Sequence, residues 1–167
     1  ARRRILKDST NGAFAVAGMC VMFVVFTGAM IEIAPYFGLK ACSLLVMIFT
    51  CSRFMSALEV MVRVPMPSSQ YARPEGRSPL GSMKDTIPSF VVFIIVLGLT
   101  EFILADGEWW AVIGELYSNI TAAVVLVAAA VTSDIDQKKL GGMSGDISGH
   151  MITVSEMFGM MTLAIMI

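Results

Sequence analysis

Three short polar runs interrupt an otherwise apolar chain, and each holds residue types that handle anionic groups. The first is Lys7-Asp8-Ser9-Thr10-Asn11-Gly12-Ala13-Phe14. Lys7 offers a cation to a phosphate, while Asp8, Ser9 and Asn11 are types that cap a helix start. The second is Tyr71-Ala72-Arg73-Pro74-Glu75-Gly76-Arg77. Its two guanidinium groups flank a proline-fixed turn, and arginine grips phosphate through paired donors. The third is Gly141-Gly142-Met143-Ser144-Gly145-Asp146-Ile147-Ser148-Gly149. Glycines ahead of a helix expose backbone N–H groups that cradle a phosphate, helped by the helix dipole. Asp146 is placed to ligate a Mg²⁺ bridging that phosphate, since magnesium prefers carboxylate and phosphate oxygens. Each run also has a plainer reading. The first is then a helix cap with a charge anchor, the second a solvated basic loop, and the third a tight turn with Asp146 as N-cap.

These runs need membrane helices to hold them. The 167 residues are 56% hydrophobic and 15% charged, with mean hydropathy +0.77, where a soluble domain carries roughly 25% charge. Five windows are long and apolar enough to span a bilayer: 13–33, 41–62, 87–104, 109–131 and 147–167. The first is too long for the core of a secretory signal, despite Arg2, Arg3 and Arg4 before it. Basic residues outside the windows then alternate. The N-terminal tail has Arg2, Arg3, Arg4 and Lys7, and the next segment only Lys40. The long loop 63–86 has Arg63, Arg73, Arg77 and Lys84, and the following loop has none. Lys138 and Lys139 come next, and the far end has none. That alternation predicts an all-α, polytopic helical bundle of about five transmembrane helices, forming a single membrane domain over 1–167. Its N-terminus and all three runs are expected on the cytoplasmic side of the cell (inner) membrane.

A net charge of −1 leaves no basic surface for nucleic acid. Cys20, Cys42 and Cys51 fall in apolar runs and read as small buried hydrophobes, and the methionines read as packing filler. No internal repeat is visible. Pro65, Pro67, Pro74 and Pro79, with Gly76 and Gly81, argue against a continuous helix in the long loop.

The fifth window carries a second chemical signal. Asp146, Gly149, Thr153 and Glu156 recur at helical spacing, which puts them on one face. Glu156 then lies roughly 15 Å along the helix from Asp146. Arg53, nine positions before Val62 on the oppositely directed second helix, lies at a matching depth. A buried acid at that depth needs a partner or a wet cavity, so the two are expected to pair across the bundle and wall a polar cavity. His150 stands alone, with no metal role expected. Asp134 and Asp136 read as a solvated loop edge after the fourth helix, and Glu59 as a side chain reaching the interface.

Taken in order, the motifs resemble the cobalamin synthase family. Arg3-Arg4-Ile5-Leu6-Lys7-Asp8-Ser9 with Gly12-Ala13-Phe14 is similar to its I-M-K-D-S-x-x-G-x-F-G helix start. Ser52-Arg53 resembles its S-R-W, and Tyr71-Ala72-Arg73-Pro74-Glu75-Gly76 its Y-A-R-x-x-G loop. The run from Leu140 to Gly149 resembles its L-G-G-x-T-G-D-x-x-G signature. Departures are Ser144 for threonine, His150 for a small residue, Thr153 for an acid or amide, and the Thr10-Asn11 filling of the first motif.

The resemblance implies adenosylcobinamide-GDP ribazoletransferase activity, in which α-ribazole or its 5′-phosphate displaces GMP. This would be the final assembly step of cobalamin biosynthesis. It implies catalytic roles for Lys7, Asp8 and Asp146, with Mg²⁺ held by Asp8 and Asp146. Substrate contacts would come from Ser9, Arg53, Tyr71, Arg73, Gly141, Gly142, Gly145, Gly149 and Glu156. The family's acidic D-G-x-x-D-x-x-D-G type motif lies upstream of these matches, so the 167 residues are expected to correspond to the C-terminal two-thirds of such an enzyme. A further N-terminal segment or a homo-oligomer would then complete the site. Two other classes stay open on the residues alone. A transporter or channel subunit would use Arg53 and Glu156 as pathway groups, and a CDP-alcohol phosphotransferase would need a D-G-x-x-A-R string that does not occur here.

Overall fold

The structure, a computed structural model, describes residues 13–36, 38–66, 79–105 and 108–167, with side chains from 16, 86 and 113 onward in the first, third and fourth stretches. Among the described residues five helices follow one another. They are α1 (Ala13–Ile33), which runs into a 3₁₀ turn (Ala34–Tyr36), then α2 (Leu39–Val62), α3 (Pro79–Leu104), α4 (Glu108–Leu140) and α5 (Gly145–Met166). Among the described residues no strand forms, only an isolated parallel bridge between Pro65 and Met143.

Among the described residues four segments have the length and apolarity to cross a membrane: Val16–Tyr36, Leu39–Val62, Thr86–Leu104 and Ile113–Leu140. The fifth expected span is also a helix, of 22 residues, or about 33 Å at 1.5 Å per residue. Asp146, Ser148, His150, Thr153, Ser155 and Glu156 make its first half polar, and it stands outside those four. Ser148, Ser155 and Glu156 are buried within the bundle, whereas Asp146 and His150 are exposed.

Two boundaries differ from the sequence reading. Helix α3 starts at Pro79, because proline is tolerated at a first helical position where its missing N–H has no intrahelical partner. Helix α4 runs nine residues beyond the expected 131, to Leu140. Asp134 and Asp136 are therefore helical residues and not a loop edge. At 33 residues α4 is about 50 Å long, which exceeds the roughly 30 Å hydrocarbon thickness, so one end stands clear of it. Lys138 and Lys139 in its last turn complement the helix dipole.

Side-chain contacts fix the helix directions. Ser52 meets Glu156 and Ser56 meets Ser148, so α2 and α5 are antiparallel. Ser118 approaches Met47 and Ser133 reaches Glu59, so α2 and α4 are parallel. Phe54 stacks on Phe93 at 4.1 Å and Thr100 reaches the Ser43 carbonyl, which sets α3 antiparallel to α2. Helices α2 to α5 thus alternate in direction along the chain.

The centre is built by α2, α4 and α5 around Met47, Ile48, Cys51, Val125, Met160 and Leu163, with Ile33 and Leu104 closing one end. Among the described side chains of α1 only Ala29 and Ile33 are buried, and its outer face (Phe23, Val24, Ile31) is exposed, as suits lipid contact. Of the cysteines only Cys51 is buried; Cys20 faces outward, contrary to expectation. In lipid, helices gain little from burial and rely on close packing of small residues. Gly159 supplies that here. A Cβ at this position would come within 2.5 Å of Val125 and 3.0 Å of Ile48. Gly159→Ala is therefore expected to destabilise the bundle by about 1–3 kcal/mol. Gly149→Ala, where a Cβ meets nothing within 4 Å, should be neutral or raise stability by up to about 1 kcal/mol. Thermal melts of the two variants in detergent test the contrast.

Candidate functional site

Polar side chains collect toward one end of the bundle, in three levels. The deepest joins α2 to α5. Arg53 Nη1 contacts Glu156 Oε1, the pairing expected from matched depth. Ser52 Oγ lies 2.6 Å from the same carboxylate oxygen, and Arg53 Nη1 lies 3.0 Å from Ser52 Oγ. Glu156 is buried, whereas the Arg53 side chain is 57% exposed and also lies over the Phe49 ring at 5.6 Å. The carboxylate is thus the fixed member, and the guanidinium keeps an open side. One turn closer to the helix end, Ser56 and Ser148 share a short hydrogen bond.

The second level is centred on Glu59, which is buried and does not reach the interface as its sequence position suggested. Its Oε2 accepts from Arg63 Nε at 2.7 Å, Ser133 Oγ at 2.9 Å and Gln137 Nε2 at 3.5 Å. Arg63 also approaches Asp134, 3.4 Å away, and Asp134 pairs with Lys138. The Glu59 hydrogen bond, with the Glu59 and Asp134 charges adding to it, outweighs partial burial and pushes the Arg63 guanidinium above its already high ordinary value. One carboxylate therefore ties the end of α2 to the last turns of α4. Sequence inspection missed Ser133 and Gln137, which are ordinary residues there. Their i, i+4 spacing on a lengthened α4 was the available signal.

The third level is the glycine run. Gly141 (φ 77°) ends α4 in the left-handed region, with its N–H on the Gln137 carbonyl at 2.7 Å. Gly142 (φ 149°) passes so close to Met66 that a Cβ would lie 3.0 Å from its backbone nitrogen. Met143 N–H donates to the Val64 carbonyl at 2.8 Å, and Met66 N–H to the Met143 carbonyl at 2.9 Å. The turn is thereby pinned to the segment leaving α2. The Met143 N–H is already committed, so a phosphate at this turn would have to draw on the donors at the start of α5. Ser144, not Asp146, is the N-cap, its Oγ 3.4 Å from Ile147 N. Asp146 is left exposed in the first turn, where a negative charge suits the helix dipole. Gly145 adjoins it and Gly149 lies exposed one turn on. His150 Nδ1 sits 2.6 Å from Asp136 Oδ2 on α4, so neither residue is solitary.

Of the expected site residues, the structure brings Arg53 and Glu156 together. It places Gly141, Gly142, Gly145, Asp146 and Gly149 along one turn and helix start. Lys7, Asp8, Ser9, Tyr71 and Arg73 lie outside the described residues. Among the described residues no three His, Cys, Asp or Glu side chains gather to cage a metal. Magnesium does not require such a cage, because it binds through one or two carboxylates plus substrate phosphates and water. Asp146 fits that donor set as a single exposed carboxylate beside a turn suited to anions.

The pairings give two expected outcomes. Arg53→Glu and Glu156→Arg should each lower the melting temperature in detergent, and the double exchange should recover most of the loss; no recovery would show the contact to be incidental. Glu59→Ala leaves Arg63, Ser133 and Gln137 without their common acceptor and should cost about 1–3 kcal/mol in the same melt, with no effect indicating that water replaces it.

Comparison with known proteins bears on the same residues. No solved structure matches the chain. Proteins named adenosylcobinamide-GDP ribazoletransferase do. The one from Clostridium perfringens (strain SM101 / Type A) is 26% identical over 165 residues, covering 97% of this chain and 59% of the relative. That of Clostridium botulinum (strain Alaska E43 / Type E3) is 29% identical over 163 residues, covering 94% and 57%. That of Chlorobium phaeobacteroides (strain BS1) is 27% identical over 149 residues, covering 89% and 54%. The chain thus spans under three-fifths of the length of each. The profile described as cobalamin-5-phosphate synthase matches residues 1–164, which takes in the glycine turn, the Arg53–Glu156 pair and the Glu59 cluster, and the chain therefore belongs to the cobalamin-5-phosphate synthase family.

Proposed function

We propose that this chain forms the membrane-embedded part of an adenosylcobinamide-GDP ribazoletransferase, with the glycine turn and the start of α5 as its phosphate-handling end. The observation that carries the reading is the turn itself. Two glycines with positive φ and two main-chain hydrogen bonds to 64–66 hold the N-terminus of α5, with Asp146 exposed on its first turn. The family match over residues 1–164 and the names of the relatives support adenosylcobinamide-GDP and α-ribazole or its 5′-phosphate as the substrates. The relatives that bear the activity in their names are longer, so a further segment or a neighbouring copy would complete the site.

In the reaction a ribazole hydroxyl oxygen bonds to the phosphorus attached to the corrinoid side chain. The bond from that phosphorus to the bridging oxygen breaks, and GMP departs. Such chemistry depends on positioning and on compensation of negative charge. The start of α5 would bind the diphosphate through backbone N–H groups and its dipole. Asp146, with Asp8, would hold Mg²⁺, which when bound offsets phosphate charge as a Lewis acid. Lys7 and Arg73 would add cations, with Ser9 and Tyr71 as further substrate contacts. Arg53, fixed by Glu156, would present its open side to the same anion. The alternation of basic residues supports a cytoplasmic position for this end at the inner membrane, where soluble nucleotide substrates would have access.

The test is nucleotide release by membranes containing the protein, given adenosylcobinamide-GDP and α-ribazole. GMP should appear with magnesium present and stop on its chelation. Asp146→Asn should lower the rate by roughly 10–100-fold or more. Substrate flux without GMP release would replace this reading with a transporter, and an unchanged rate for Asp146→Asn would remove the metal role.

A further inference from the structure

Asp136 and His150 do nothing for the phosphate binding described above, yet their geometry is that of an oriented base. Asp136 Oδ2 lies 2.6 Å from His150 Nδ1. The Asp136 side chain is 17% exposed and that of His150 56% exposed. The carboxylate is set back between the helices and the imidazole stands in front of it. A carboxylate that accepts from Nδ1–H fixes the neutral tautomer and leaves the Nε2 lone pair facing outward. His150 follows Asp146 by four residues, so both lie on one face of α5, about 6 Å apart along its axis. The imidazole therefore stands one turn from the carboxylate assigned to the phosphate end.

A purely structural use of the pair is weakly motivated. Helices α4 and α5 are already joined by a short turn, capped by Ser144 and packed through Gly159 against Val125. Other charges nearby are accounted for. Asp134 and Lys138 pair with each other at 2.5 Å, and Arg63 is held by Glu59. Lys139 is exposed on the last turn of α4, and Asp146 is exposed on α5. The described side chains of α1, which also packs on α5, bring only Cys20 and Glu32, the latter near the opposite end.

We propose that His150, which stands where the resembled family has a small residue, serves in this chain as a general base for the attacking hydroxyl, oriented by Asp136, an inference that rests on the transferase reading above. His150 Nε2 takes the hydroxyl proton as the oxygen bonds to phosphorus. The electron pair of the breaking P–O bond leaves with GMP, and the imidazolium returns its proton to water. A base of this kind contributes roughly 10²–10⁴-fold, and a step limited by a general base speeds up as pH rises.

The experiment measures GMP release across a pH series by the protein in its membranes, at saturating substrates. His150→Ala should lower kcat by roughly 10²-fold or more, with KM little changed, and should lose the rising limb of the pH profile. Added imidazole should restore part of the rate. His150→Asn keeps a donor for Asp136 without a base, so it should melt like the parent and be equally slow; it also covers the case in which His150→Ala does not fold. Asp136→Asn should retain the rising limb at reduced kcat. Full activity in His150→Asn, or an unchanged pH profile in His150→Ala, overturns the base while the transferase reading stands. No GMP release from the parent protein overturns both together.

Discussion

A carboxylate that leaves water must be met by donors, and two glutamates in this bundle set most of its internal order. Glu156 on α5 and Glu59 on α2 are each buried. An unpaired charge at such positions would cost several kcal/mol. Each is met from another helix: Glu156 by Arg53 and Ser52 of α2, Glu59 by Ser133 and Gln137 of α4, with Arg63 beside it. Apolar helices in lipid can slide or rotate with little penalty, because one hydrocarbon contact resembles another. These two carboxylates remove that freedom by fixing the register of α2 against both partners.

The two ends of the bundle differ in character as a result. Among the described residues Arg63, Asp134, Lys138, Lys139, Asp146, the glycine turn and the Asp136–His150 pair occupy one end. At the other, Glu101 and Ser118 are 2.6 Å apart beside a cavity of ≈720 Å³ that Glu115 and Asn119 also line. The overlong α4 connects these regions. It carries Ser118 at one level and Ser133, Asp136 and Gln137 at the other, so a rigid rod spans the whole thickness of the protein.

Much of this organisation was legible in the residues. Apolar windows located the helices, alternating basic residues gave their directions, and counting depth from the helix ends brought Arg53 to Glu156. The errors share a cause. The end of α4 was placed where apolarity stops, but a helix continues as long as its backbone bonds do, and Asp134, Gln137 and Lys138 extend it by making contacts of their own. Glu59 looked peripheral because an acid near a helix end usually reaches water; its three donors lie 4, 74 and 78 residues away in sequence and no local pattern announces them. Asp146 looked like the cap because aspartate favours that position. Ser144, equally suited, stands two residues earlier and directly follows the turn.

The glycine turn is held to the segment leaving α2 by main-chain bonds alone, Met143 to Val64 and Met66 to Met143. Pro65 between them has no N–H to contribute, and neither bond asks for one. The two bonds use no side chain, although Met66 and Met143 are themselves buried while Val64 is exposed. Val64 can therefore change with little consequence for the joint, whereas Met66 and Met143 are constrained by packing. Gly141 and Gly142 are constrained by backbone angles that other residues rarely adopt. A sequence can diverge widely around such a joint and still aim the same helix at the same spot.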